Sequence, residues 1–168
     1  EAVGALFIYS SLQGIDSYKD RGFFAVFHAI SAYCNAGFSI SSTGLYDESL
    51  RFNYYMQWVV MILIVMGGLG YNIASNFIQY VKHFFYNLFN KNNKKFISRV
   101  ITLNTKIVIY TTILLIVVGT GFFLISEQET FLSEHKTLFG KFTTAMFSSV
   151  TSRTAGFNTI DMSNFTVP

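Results

Sequence analysis

The chain has 168 residues, of which 51% are hydrophobic and only 12% charged, about half the charged share of an ordinary soluble domain, and this argues against a soluble globule. With 19 Phe and 10 Tyr against one Trp, one Pro and one Cys, disordered, collagen-like and disulfide-stapled classes are excluded. The net charge of +3 would suit nucleic acid if it covered one face, but the charges are segregated along the chain instead.

Residues 2–15 carry no charged side chain and are too short to span a membrane, so 1–15 reads as the end of an outer helix whose start is missing. Residues 22–46 are also uncharged, yet they are studded with Ser31, Asn35, Ser39, Ser41, Ser42, Thr43 and glycines. A half-helix and loop over 22–40 fits better than a crossing. Residues 52–81 and 107–126 are apolar on every face and long enough to cross hydrocarbon at about 1.5 Å per residue. They predict an inner helix over 52–88 and a second outer helix over 107–126. The last uncharged run, 142–152, is again short and leads into Arg153-Thr154-Ala155-Gly156-Phe157-Asn158. It predicts a second half-helix and loop over 139–160.

Six basic residues, Lys82, Lys91, Lys94, Lys95, Arg99 and Lys106, fall between 82 and 106 with no acid among them, and the other six share the remaining chain with all nine acids. By the positive-inside rule the loop 82–106, with 89–106 at its heart, is cytoplasmic. The acidic segments at Asp16/Asp20, Asp47/Glu48 and Glu127/Glu129/Glu134 then lie outside, and the glycine loops face outward.

An internal repeat joins the two short runs. At an offset of 119, Asn35-Ala36-Gly37-Phe38-Ser39 falls on Thr154-Ala155-Gly156-Phe157-Asn158, and Phe23 falls on Phe142. Irregular backbone at membrane depth is tolerated only where it is buried in protein or lines an aqueous path, and repeats in membrane proteins commonly build such a path at their interface. An ion must exchange its hydration shell for other oxygens, which backbone carbonyls can supply. Glycine removes the Cβ that resists the required backbone angles. A preceding half-helix would turn its partly negative C-terminus toward a cation. The other reading of both glycines is close helix packing.

These residues resemble the Trk/Ktr/HKT superfamily of potassium transporters, most closely bacterial KtrB-type membrane subunits. The matching segments are Phe27-His28-Ala29-Ile30-Ser31-Ala32 with Asn35-Ala36-Gly37-Phe38-Ser39, then Gly67-Gly68-Leu69-Gly70-Tyr71, and Ser149-Val150-Thr151-Ser152-Arg153-Thr154-Ala155-Gly156-Phe157-Asn158-Thr159. The resemblance implies an all-α membrane protein of four helix, half-helix, filter-loop and helix units around one pore. This chain would be a fragment of a longer polypeptide carrying two of the four filter loops, from parts of units two and three. The filter residues would be Asn35, Ala36, Gly37 and Phe38 with Thr154, Ala155, Gly156 and Phe157. K⁺ would be the transported ion, with Na⁺ as a coupling or activating ion and no bound cofactor. The implied partners are the remaining units, a second copy, the lipid bilayer and a cytoplasmic nucleotide-binding ring of the KtrA type. A non-conducting scaffold or assembly subunit is the alternative.

Gly67, Gly68 and Gly70 form either a hinge or a close helix contact. Cys34 is expected as a small buried side chain, and Arg153 as a structural partner of loop carbonyls or Asp161. Asn164-Phe165-Thr166 matches a glycosylation sequon but carries little weight in a chain resembling a bacterial family. The three histidines are too far apart in the predicted topology to form one metal or catalytic cluster, and no nucleophile and base pairing suggests an enzyme. The basic loop suits either anionic lipid or ring docking. Neutralising Lys91, Lys94 and Lys95 separates the two: loss of ring co-purification assigns the loop to docking, and retained binding assigns it to lipid or topology.

Overall fold

The computed structural model describes residues 1–12, 20–47, 49–89, 103–127 and 131–160, and among these every regular element is helical. Six α-helices follow in order: α1 (Ala2–Ser11), α2 (Arg21–Tyr33), α3 (Tyr54–Leu69), α4 (Tyr71–Phe89), α5 (Leu103–Ser126) and α6 (Leu138–Thr151). Short 3₁₀ turns lie at Gly44–Tyr46 and Phe131–Glu134. The heart of the basic loop, with Lys91, Lys94, Lys95 and Arg99, is outside the described residues, as are Asp16, Glu48, Glu129, Asp161 and Asn164-Phe165-Thr166.

The chain divides into two compact units, Glu1–Gly68 with Ile116–Pro168, and Leu69–Leu115. In the first, Phe24, Ala29 and Ala32 of α2 pack with Met56, Val60 and Ile64 of α3, Phe147 and Val150 of α6, and Ala155 and Phe157 beyond it. Helix ends are fixed by side chains: Asp20 accepts from Phe23 N (2.9 Å) to start α2, and Thr137 accepts from Gly140 N (3.0 Å) to start α6. In the second unit α4 buries Ala74 and exposes Tyr71 and Ile78.

The stretch 52–88, expected as one inner helix, is two. Gly70 sits at φ +76 between α3 and α4. That left-handed angle cannot continue an α-helix, and glycine reaches it without a Cβ clash. Helix α3 accordingly has 16 residues, about 24 Å of helix, before the chain continues into α4. Helix α5, with 24 residues, covers about 36 Å. Among the described residues it is the helix long and apolar enough to cross a membrane.

The first unit exposes apolar side chains and buries polar ones within its core. Leu6, Phe7, Phe23, Val26 and Ile30 are exposed, while Thr143, Thr144, Ser148, Ser149 and Thr151 of α6 are buried. An apolar exterior combined with hydrogen-bonded polar side chains inside an otherwise apolar core suits a bundle surrounded by hydrocarbon. Polar contacts tie the interior together: Trp58 Nε1 donates to Thr143 Oγ1 (3.3 Å), and Ser149 Oγ donates to Ile116 O (3.2 Å).

At one end of this unit, buried His135 lies with Nδ1 2.9 Å from the Tyr54 hydroxyl and Nε2 3.1 Å from Thr144 Oγ1. Arg51 pairs with Glu134 at 3.1 Å and stacks over the Phe52 ring. Burial pushes the His135 pKa below its ordinary value; Glu134 opposes the shift, and Arg51 and Lys141 add to it. The unfolded chain therefore takes up this proton first. The stabilisation from a neutral ring is complete above about pH 6.5 and is lost as pH falls towards the lower folded pKa. Thermal unfolding of the full-length protein should thus show a larger drop in midpoint from about pH 7.5 to about pH 5.5 than the His135→Gln variant does. Equal drops in the two proteins would remove His135 as the cause.

Candidate ion-filter loops

Each glycine loop begins where a short helix ends. Helix α2 has 13 residues and α6 has 14, about 20 Å each and too short to span. After α2, Asn35 N–H donates to Ala32 O (3.1 Å) and Ala36 N–H to Ser31 O (2.9 Å). This is a Schellman termination with Asn35 in the left-handed position, φ +55. After α6 the turn is longer, and Gly156 N–H donates back to Thr151 O (3.1 Å).

The two loops then share a backbone signature. Gly37 and Gly156, equivalent in the repeat, have φ +70 and +74. The carbonyl of the following Phe accepts a side-chain hydroxyl in both: Ser31 Oγ donates to Phe38 O (2.8 Å), and Thr151 Oγ1 donates to Phe157 O (2.9 Å). These two carbonyls are therefore anchors of the loops as well as members of the expected filter.

The loops also meet. A Cβ on Gly37 would strike the Ala155 carbonyl oxygen. Thr154 Oγ1 lies 2.9 Å from the Asn35 side-chain amide, across a separation of 119 residues. That separation equals the repeat offset, so like positions of the two repeats are in contact. Beside Gly156, by contrast, nothing among the described residues lies within 4 Å of a Cβ. The Phe157 ring is buried and the Phe38 ring is exposed.

His28 of α2 stands fully buried beside the first loop. Its Nδ1 is 2.9 Å from Phe24 O and its Nε2 is 2.9 Å from Ser39 Oγ. A ring that donates from Nδ1 to the carbonyl accepts at Nε2 from the Ser39 hydroxyl. Its signal in the sequence is a polar side chain, like that of Ser31, within a largely apolar half-helix. Gly67 and Gly68 lie in the last turn of α3, where a Cβ on Gly67 would meet the Tyr33 carbonyl oxygen. Cys34 is exposed, not buried, because as the C-cap residue of α2 it falls outside that helix's buried stripe. Among the described residues, no group of three or more His, Cys, Asp or Glu side chains is gathered to hold a metal.

Residues 2–167 match the TrkH family, described as a cation transport protein. The chain is 33% identical over 138 residues to the potassium/sodium uptake protein NtpJ of Enterococcus hirae, covering 82% of this chain and 27% of that protein. It is 30% identical to the Ktr system potassium uptake protein B of Vibrio alginolyticus, covering all of this chain and 34% of the relative. With the Ktr system potassium uptake protein D of Bacillus subtilis it shares 31% identity over 88% of this chain and 30% of that protein. It thus spans between 27% and 34% of the length of these relatives. The chain belongs to the TrkH family of cation transport proteins.

Proposed function

We propose that this chain supplies two neighbouring filter loops of a pore for potassium uptake across the cell membrane, with backbone carbonyls from Asn35 to Phe38 and from Thr154 to Phe157 facing the ion. The carrying observation is that the two loops meet, with the equivalent positions Asn35 and Thr154 bonded side chain to side chain and Gly37 packed against the Ala155 carbonyl one residue out of register. Repeats arranged around an axis meet in this way, each loop against the next. The exposed Phe38 ring on one side and the open space at Gly156 on the other suit continuation of the ring in both directions.

Three further points support the reading. The C-terminal ends of α2 and α6 lead into the loops and favour a cation there. The relatives named above are potassium uptake proteins. Helix α5 is long enough to span, and the segregated charges orient the loops outward with 82–106 in the cytoplasm. The remaining filter loops come from the rest of the same polypeptide. A second copy, a KtrA-type nucleotide-binding ring and Na⁺ as a coupling or activating ion complete the assembly.

Gly37→Ser and Gly156→Ser in the full-length protein test the assignment. A Cβ at φ near +70 costs about 1–2 kcal/mol, and at Gly37 it also pushes on Ala155 O. Discrimination of K⁺ over Na⁺ in uptake or liposome flux should fall about tenfold or more. Unchanged selectivity in both variants rejects the filter, and absence of ion flux from the intact protein favours a scaffold.

A further inference from the structure

A residue with a side chain is a costly choice at Asn35. At φ +55 glycine is the default, although asparagine is the side chain best tolerated there. The amide has three partners when its Oδ1 accepts from Gly68 N–H (3.0 Å): its Nδ2 then donates to Thr154 Oγ1 (2.9 Å) and to Ile64 O (3.3 Å). The opposite orientation would set oxygen against the Ile64 carbonyl and nitrogen against the Gly68 N–H, so this one is assigned.

Two of these partners have a special relation. Ile64 C=O and Gly68 N–H stand four apart in α3, the groups that an α-helix pairs with each other. The Asn35 amide offers a donor to the first and an acceptor to the second. By bonding both groups of that rung, the amide adds to the hold on this turn of α3. The same turn of α3 lies against the end of α2, since a Cβ on Gly67 would collide with the Tyr33 carbonyl. Through its third bond the amide reaches Thr154 in the other loop.

We infer that Asn35 is a positioning residue that couples the last turn of α3 to both glycine loops, so that the ion occupancy of the filter and the backbone state of α3 at Ile64 to Gly68 change together. This rests on reading the loops as an ion filter. With an ion held, the loops fix the amide and the amide holds the Gly68 N–H. When the loops relax, that rung is released.

The test uses the full-length protein in lipid nanodiscs and proteoliposomes, with K⁺ or choline as the probe cation. Asn35→Gly deletes the amide while relieving the positive φ. In the wild type, K⁺ should slow hydrogen exchange in the peptide spanning 64–70. In Asn35→Gly, exchange there should rise about tenfold and lose its K⁺ dependence, and K⁺ over Na⁺ preference should fall by about the same factor. Thr154→Val should lower selectivity while leaving exchange at 64–70 slow, because the bonds to α3 remain. If Asn35→Gly does not assemble, Asn35→Asp serves: it still accepts from Gly68 but cannot donate to Ile64, and K⁺ protection should weaken. K⁺ protection that persists at the wild-type level in the variant that assembles, no K⁺ protection in the wild type, or unaltered selectivity in Asn35→Gly overturns the coupling. Unaltered selectivity in Gly37→Ser as well overturns the filter reading itself, so the two failures are distinguishable.

Discussion

The packing of the first unit depends on one close approach, the backbone of Gly37 against the carbonyl oxygen of Ala155. In the proposed filter, carbonyl dipoles facing one ion would repel one another, so the loops need to be held in place beforehand. That restraint comes through the hydroxyls of Ser31 and Thr151 on the Phe38 and Phe157 carbonyls and through His28 on Ser39. Each bond contributes about 1 kcal/mol net in an ordinary setting. In a buried, low-dielectric surrounding, leaving one unmade is the more costly event.

The same need for hydrogen-bonded contacts accounts for the polar side chains that α6 buries. Helices in lipid gain nothing from hiding apolar surface, so they associate through packing and hydrogen bonds. Helix α6 accordingly buries Thr143, Thr144, Ser148, Ser149 and Thr151. Its neighbours use those groups, with Trp58 bonded to Thr143 and His135 placed against Thr144. Away from the loops, Asn53 Nδ2 donates to Ser11 O (2.8 Å) and Gln57 Nε2 to Arg51 O (2.7 Å), which ties α1 and the start of α3 to the same frame.

Local features of this arrangement were readable from the sequence, and features made by distant contacts were not. The offset of 119 is visible in Asn35 to Ser39 and Thr154 to Asn158, and an all-helical chain follows from the uncharged apolar runs. The break at Gly70 was hidden because Gly67, Gly68 and Gly70 share one apolar run, and glycine within a membrane helix is as often a packing residue as a breaker. Only the backbone angle singles out Gly70. The roles of His28 and Asn35 depend on partners set by the fold, Ser39 eleven residues away and Ile64, Gly68 and Thr154 much farther. A pattern of neighbours along the chain cannot encode them.

The two repeats reach a common glycine geometry by different routes, and the difference follows from the residue type at one position. Asn35 tolerates the left-handed angle, so α2 ends in a compact Schellman turn and its amide is free to reach across to α3. Thr154, its counterpart, is β-branched and strongly disfavours that angle. Among the described residues Asn35 is the non-glycine residue with positive φ, and the turn after α6 is correspondingly longer before Gly156 bonds back to Thr151. Threonine is also too short to repeat the amide's triple bonding, and its hydroxyl serves instead as the partner of Asn35. A contact that strict symmetry would make between identical residues is thus divided between an amide that reaches α3 and a hydroxyl that receives it. The link to α3 therefore belongs to one repeat and reaches the other through the Thr154 hydroxyl.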